Sequence, residues 1–373
     1  MIVGVPAEVK QSERRVGLTP YSVRELAAYD QQVLVQSGAG EGIGAGDTDY
    51  EAAGARVVDS GETIWADADL VVKVKEPQPE ERAQLRAGQV LFAYLHLAPD
   101  PDQTDDLMAS DATCIAYETV TDAVGGLPLL APMSQVAGRM SIQAGAHCLE
   151  APNGGAGLLL GGVPGVHSAS VVVLGGGMVG ENAIEMAVGL GADVAVLDRN
   201  VAVLDRLARR FGTKLETVYS TKSSIEELVL DADMVIGAVL VKGSRAPHLV
   251  TADMVHKMRP GSVLVDVAID QGGCFETSRP TTHEEPTFVV DGVVHYCVAN
   301  MPGAVPRTST DALNNVTLPF TLALARKGPE RALLDDPYFL SGLNIHRGMV
   351  TEEHVAESLG HDYVPPEVAL EAP

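Results

Sequence analysis

Gly175, Gly177 and Gly180 are spaced as GxGxxG within SVVVLGGGMVGENAIEMAVGLGADVAVLD, after an apolar run and before a helix-like pattern. In a strand-turn-helix unit the first glycine permits the tight turn and the second lets backbone approach a pyrophosphate. The third lets the helix pack on the strand. The helix N-terminus then faces the phosphates with its partial positive charge. GxGxxG alone is a weak signal, but here the next strand, DVAVLD, ends in Asp198. That places a carboxylate about twenty residues on, where one holds the adenosine ribose hydroxyls. Asp198 repels a 2′-phosphate and favours NAD over NADP, while the adjacent Arg199 is a group that can accept such a phosphate. The second glycine-rich stretch, residues 154 to 165, opens no helix in this way and reads as a loop between lobes.

A second set of chemistry-bearing residues lies at strand ends, where open α/β sheets place their ligands. The run LVVKVKEP predicts a strand ending at Pro77 with Lys75 just inside. VLFAYLHLAP predicts one ending at Pro99 with His96 just inside, and SVLVDVAIDQGG one ending at Gly272 with Asp270 just inside. The loop after the first strand adds the adjacent Arg14 and Arg15, of which at most one is expected to point inward. A guanidinium, an ammonium, an imidazole and a carboxylate can converge on one small anionic substrate. Each has a structural alternative: Lys73 and Lys75 share a strand face by period two and can both edge a solvated surface. His96 can be a hydrogen-bonded core histidine, and Asp266 competes with Asp270.

The elements that must position these groups follow an alternating pattern. IVGV, QVLVQ, DADLVVKVK, VLFAYLHL and TCIAYETV are strand-like runs separated by helix-like segments such as YSVRELAAYD. Such βαβα rhythm predicts a mostly parallel sheet. Thr19 followed by Pro20 is a helix start, an N-cap hydroxyl before a proline at N1. A helix over SQVAGRMSIQAGAHCLE leads to a second α/β unit containing the glycine turn, with further strands in KLETVYS, DADMVIGAVL and GSVLVDVAID. Beyond NMPGAVP the pattern is mostly helical, and the end, YVPPEVALEAP, is expected to pack loosely.

At 373 residues the chain suggests about two domains. Lys+Arg of 26 against Asp+Glu of 50 gives a formal net charge of -24, which repels nucleic-acid backbones and anionic lipid surfaces. No apolar stretch is long enough to span a bilayer. Cys114, Cys148, Cys274 and Cys297 lack CxxC spacing, and the N-terminus has no signal-like segment, so a reduced, cytoplasmic setting is expected. From the residues alone the reading stops at an NAD-dependent enzyme or binding protein with a polar cleft.

Several of these stretches together resemble one family. GVPAEVKQSERRVGLTP, VVKVKEP, AYLHLAPD, APMSQVAGRMSIQAGA, LLLGGVPGV, VVVLGGGMVGENA, VDVAIDQGGCFETSRPTTH and HYCVANMPGAVPRTST occur in order to about residue 320. They are similar to NAD-dependent alanine dehydrogenases, relatives of the soluble NAD-binding domain of proton-translocating transhydrogenase. The resemblance implies an α/β protein of two Rossmann-like lobes with mostly parallel sheets, the second inserted into the first. A catalytic domain would comprise residues 1–128 plus 305–373, and an NAD-binding domain residues 129–304. It further implies a homohexamer acting on L-alanine, pyruvate and ammonium; no metal-ligating residues are singled out, and any bound metal is left open.

By the same resemblance Arg15 would bind the substrate carboxylate, Lys75 would hold the carboxylate or carbonyl oxygen, His96 would be the general acid/base, and Asp270 would help handle water or ammonia. Ser134, Gly175, Gly177, Met178, Val179, Gly180, Asp198, Ser220, Val239 and Leu240 would surround the cofactor. Val267, Ala268, Ile269, Asp270, Arg279, Val298, Ala299, Asn300 and Met301 would complete that surrounding near the nicotinamide. Gln135 stands where many relatives are expected to carry glutamate. The chemistry suits those types: histidine titrates near neutrality, and an arginine fork fixes a carboxylate through two hydrogen bonds. Rival readings are a transhydrogenase-like relay component, a relative acting on a larger amino acid, and an NAD sensor with a dead site.

Overall fold

The structure, a computed structural model, describes residues 1–239 and 247–371. The chain folds as two compact units, one of residues 1–132 together with the chain from 305 onward, the other of residues 133–304.

Strands β1 (Ile2–Val5), β2 (Gln32–Gln36), β3 (Arg56–Val58), β4 (Leu70–Val72), β5 (Val90–Ala93) and β6 (Thr113–Ala116) begin the first unit. The second contains β7 (Ser170–Leu174), β8 (Asp193–Asp198), β9 (Glu216–Tyr219), β10 (Met234–Gly237), β11 (Val263–Asp266), β12 (Thr287–Val290) and β13 (Val293–Tyr296). β14 (Leu343–His346) and β15 (Met349–Val350) return to the first sheet. The sheet orders are β15-β14-β6-β5-β4-β1-β2-β3 and β12-β13-β11-β10-β7-β8-β9. Pairing is parallel except at β6–β14–β15 and β12–β13. The central strands are apolar throughout, LVV, VLFA, TCIA and VLVD, and are buried along their length, as expected for parallel strands covered on both faces.

Each sheet reverses its strand order at one point, between β1 and β4 in the first and between β7 and β10 in the second. Such switch points open a crevice at the carboxyl ends of the strands. The residues singled out above follow those ends.

The helix Pro20–Ala28 starts as expected, with Thr19 Oγ1 accepting the Ser22 N–H at 3.2 Å and proline in the first turn. The long helix Pro306–Lys327 reaches back to this start through buried Asn314. Its Oδ1 accepts the Thr19 N–H at 2.9 Å and the Ser22 hydroxyl at 2.7 Å, and its Nδ2 donates to the Gly17 carbonyl at 3.2 Å. This fully used amide explains why the chain after 305 folds with the N-terminal segment. The terminal segment is more ordered than its composition suggested. Val364 N–H donates to the Val350 carbonyl at 3.0 Å, and the helix Pro366–Glu371 buries Ala369 completely.

Candidate active site

In the first unit, Arg15, Lys75, His96 and Glu118 lie in the loops that leave β1, β4, β5 and β6, four neighbouring strands. The expected strand ends are corrected: β4 stops at Val72 and β5 at Ala93, so Lys75 and His96 stand beyond the sheet rather than just inside it. Two carboxylates distant in sequence cause this. Glu8 accepts the Val74 N–H at 2.7 Å and the Lys75 N–H at 3.4 Å. Glu118 accepts the Leu95 N–H at 3.2 Å and the His96 N–H at 2.6 Å. Amides bound by carboxylates cannot also donate to a neighbouring strand, so regular pairing ends before them.

The alternatives at each position separate by burial. Arg14 is exposed and Arg15 is 2% exposed. Glu13 grips the Arg15 guanidinium in a fork, Nε to Oε1 at 2.7 Å and Nη2 to Oε2 at 2.5 Å. Burial opposes that charge, but Glu13 outweighs it and holds the guanidinium pKa above its ordinary value. Lys73 is buried and ion-paired with Glu81 at 2.7 Å and Glu8 at 3.3 Å. It is a structural cation, not the edge of a solvated face. Lys75 makes no side-chain hydrogen bond or ion pair among the described residues. Its ammonium is held below the ordinary lysine pKa, first by burial and then by the nearby charge of Arg15.

His96 is no core histidine: its side chain is 47% exposed. Its backbone is left-handed, φ 50°, a conformation that costs a non-glycine residue about 1–3 kcal/mol. The ring lies parallel to that of Tyr94 with centroids 5.9 Å apart, and its Nδ1 is 3.6 Å from Glu118 Oε1. Tyr94 donates to the Leu129 carbonyl at 2.6 Å and lies within electrostatic reach of Arg15. Arg15, Lys75, Tyr94 and His96 thus form one polar neighbourhood in this unit.

In the second unit the glycine turn joins β7 to the helix Met178–Gly189. Gly175 has φ 99°, and a Cβ on Gly180 would fall 1.8 Å from the Gly175 carbonyl oxygen. Both glycines are therefore steric requirements of the turn. A Cβ on Gly177 would meet nothing within 4 Å, and the helix has no side-chain cap. This open cradle at an uncapped helix start fits a dinucleotide pyrophosphate. Asp198 closes the far side, its Oδ2 accepting the Gly176 N–H at 2.7 Å and its Oδ1 the Asn200 N–H at 2.7 Å.

The remaining expected cofactor residues are distributed around the same strand ends. Met178 is exposed and Val179 partly buried in the first turn of the helix. Ser134 is partly buried in the first turn of the helix Ala131–Cys148, whose Gln135 Nε2 lies 3.9 Å from Met178 Sδ. Ser220 N–H donates to the Asp198 carbonyl at 3.0 Å, and Val239 follows β10. Leu240 lies outside the described residues. Val298 and Met301 after β13 have their side chains packed in the apolar core. Ala299 and Asn300 are partly buried between them, and Asn300 is left-handed at φ 60°. Arg279 has its guanidinium 4.4 Å from the centre of the Phe288 ring.

Asp266 and Asp270 differ in burial and partners. β11 ends at Asp266, which is fully buried and accepts the Cys274 N–H at 2.8 Å, the Ala268 N–H at 3.1 Å and the Ser278 hydroxyl at 2.5 Å. Burial raises its pKa against the pull of those donors. Asp266 folds the loop; Asp270, exposed in the 3-10 turn Ile269–Gln271, is what the loop presents, with Val267 and Ala268 half-buried before it.

Sequence reasoning missed Glu8, Glu13 and Glu118, whose roles depend on partners brought together only by folding. It also passed over Gly176, a variable position of the motif. A Cβ there would fall 2.7 Å from Val203 Cγ1 and 2.8 Å from Leu207 Cδ1.

Comparison with known proteins covers both units. Residues 4–137 match the family model described as alanine dehydrogenase/PNT, N-terminal domain, and residues 141–353 the corresponding C-terminal domain. The chain is 61% identical to an alanine dehydrogenase of Halomonas elongata over 98% of both chains. It is 53% identical to one of Bacillus subtilis, covering 100% of this chain and 98% of that one. A solved structure described as L-alanine dehydrogenase superposes with a TM-score of 0.94 at 51% identity, covering 96% of this chain and 99% of that one. A transhydrogenase from Sinorhizobium meliloti superposes at 0.81 and 25% identity, covering 95% and 99%.

Proposed function

The chain belongs to the alanine dehydrogenase/PNT family, and from that premise we propose how its residues divide the work. It is an NAD-dependent amino-acid dehydrogenase that converts L-alanine to pyruvate and ammonium and runs the reverse reductive amination. The single observation that carries the division of labour is the set of four polar groups at the ends of β1, β4, β5 and β6.

The NAD-binding domain is the unit holding the glycine turn, where Gly177 and the helix start take the pyrophosphate and Asp198 the ribose hydroxyls. When bound, NAD supplies the acceptor for the hydride that leaves Cα. Arg15, its guanidinium plane fixed by Glu13, holds the substrate carboxylate. Lys75 brings a positive charge to the carboxylate or to the oxygen that gains charge. His96 moves the proton. Its Nδ1 edge faces Glu118, which leaves Nε2 as the atom that takes a proton from the ammonium or from water. Asp270 orients water in one direction and ammonia in the other.

The polar groups of the first unit favour this over a relay component, because hydride relay between nucleotides needs no carboxylate clamp. A homohexamer and a cytoplasmic setting belong to the same proposal, carried by family likeness; light scattering on the purified protein tests the assembly. NADH absorbance tests the activity, with L-alanine plus NAD and with pyruvate, ammonium plus NADH, beside D-alanine, larger amino acids and NADP. Turnover confined to L-alanine and pyruvate with NAD is expected. NADH binding without turnover on any substrate would contradict it.

A further inference from the structure

We propose that Arg206 is a positioning residue for NAD, acting through the Gly176–Gly177 peptide of the glycine turn. The proposal rests on the reading of that turn as the pyrophosphate site. Arg206 lies on the helix Val201–Phe211, in a part of the chain to which neither the motif nor the resemblance gives a cofactor role.

Gly176 is held on both of its backbone groups. Its N–H donates to Asp198 Oδ2 at 2.7 Å, and its carbonyl accepts from Arg206 Nη2 at 3.2 Å. The same helix closes over the turn through Val203 and Leu207, whose methyl groups occupy the space a Cβ on residue 176 would need. Val203, Arg206 and Leu207 are spaced i, i+3, i+4, so one helix face delivers both the apolar cover and the guanidinium.

The guanidinium is itself aimed. Its Nη1 is paired with Glu181, which belongs to the helix that opens at the turn, and Glu181 is only 13% exposed. Glu181 also pairs with Arg210, which reaches Glu185 at 2.5 Å, and Glu185 meets Arg139 at 3.2 Å. Arg206 and Arg210 are about half exposed while the carboxylate they share is largely buried, so the linked pairs add to stability as a network. The network also has a geometric effect. In a trans peptide the C=O and the following N–H point in opposite directions, and the structure has no cis bond among its described residues. Pinning the Gly176 carbonyl therefore fixes the direction of the Gly177 N–H, the amide beside the open cradle.

The test compares wild type with Arg206→Ala and Arg206→Lys, reading NADH affinity by fluorescence titration, steady-state constants, and the thermal unfolding midpoint. Arg206→Ala is expected to raise the NADH Kd and the NAD KM about tenfold, the effect of one charge-assisted hydrogen bond. kcat at saturating NAD and the KM for L-alanine stay at wild-type values, and the unfolding midpoint falls only slightly because Arg210 still pairs with Glu181. Arg206→Lys recovers part of the affinity, since one ammonium reaches the carbonyl without reproducing the fork. Wild-type NADH affinity in Arg206→Ala overturns the proposal. So does an affinity loss matched by a fall in unfolding midpoint and in kcat, which is the signature of general disruption. Failure of the wild-type protein to bind NADH is a different result, and it removes the reading of the glycine turn itself.

Discussion

Glu118 Oε1 accepts the backbone N–H of His96 at 2.6 Å and lies 3.6 Å from the Nδ1 of the same residue. One carboxylate thus ends the strand, holds His96 in a left-handed conformation and faces one edge of its ring. Replacing it with alanine strands the amides of Leu95 and His96 and frees the ring to swing. Glu118→Ala is expected to lower kcat about 10²-fold, the cost of misplacing a reacting group by about 1 Å. Glu118→Gln, which keeps an amide acceptor, is expected to lose less. Stopped-flow or steady-state rates with unchanged NADH Kd check this; equal losses in both variants would mean that charge, not position, matters.

Lys75 gives a pH dependence whose sign follows from its environment. Burial and Arg15 lower its pKa, so the ammonium is lost at a pH below that of an ordinary lysine. Only the protonated form attracts a carboxylate. The KM for pyruvate should therefore be flat at neutral pH and rise on the alkaline side before free lysine would titrate. Lys75→Arg should abolish that rise while weakening binding uniformly. A KM profile identical in wild type and Lys75→Arg would assign the carboxylate contact elsewhere.

Lys73 contributes to stability rather than chemistry. Glu8 and Glu81 flank it in the interior, and burial already raises the Glu8 pKa above its ordinary value. Lys73→Met leaves two buried carboxylates without a cation, a loss of about 3–5 kcal/mol at neutral pH. A carboxyl with a folded pKa above its unfolded one opposes folding once the pH exceeds the unfolded value. The penalty should therefore shrink as pH falls and these groups protonate. Urea unfolding of both proteins at neutral and mildly acidic pH measures it; a pH-independent difference would mean simple loss of packing.

The glycine turn separates binding from folding at two positions. Gly177→Ala puts a methyl into open space and should leave the unfolding midpoint unchanged while weakening NADH binding at least tenfold, since the backbone can no longer approach the pyrophosphate. Gly180→Ala forces a Cβ to within 1.8 Å of the Gly175 carbonyl oxygen and should lower the midpoint as well. Calorimetry alongside NADH titration distinguishes them, and normal NADH affinity in Gly177→Ala would place the pyrophosphate elsewhere.

These variants also mark what was legible in the sequence. The glycine turn, Asp198 and the parallel α/β pattern rest on local spacing, which survives in one dimension. Strand ends did not: the apolar runs through Lys75 and His96 read as continuous strand because the carboxylates that end them, Glu8 and Glu118, lie 66 and 22 residues away. Arg15 differs from Arg14 by Glu13 and burial, and Asp270 from Asp266 by which of the two the loop amides bind. Each is a question of long-range pairing or of depth, and periodicity does not report depth at a strand end. Gly176 was illegible for the same reason, because its constraint comes from Val203 and Leu207 on another helix.

The most direct measurement is turnover of His96→Ala with L-alanine and NAD, with NADH affinity determined on the same sample. The account predicts a fall in kcat of about 10² to 10⁴ with the NADH Kd unchanged, because His96 moves a proton and the glycine turn holds the cofactor independently. Wild-type turnover in this variant would contradict the role assigned to the imidazole. Loss of NADH binding alongside turnover would contradict the division of labour between the two units.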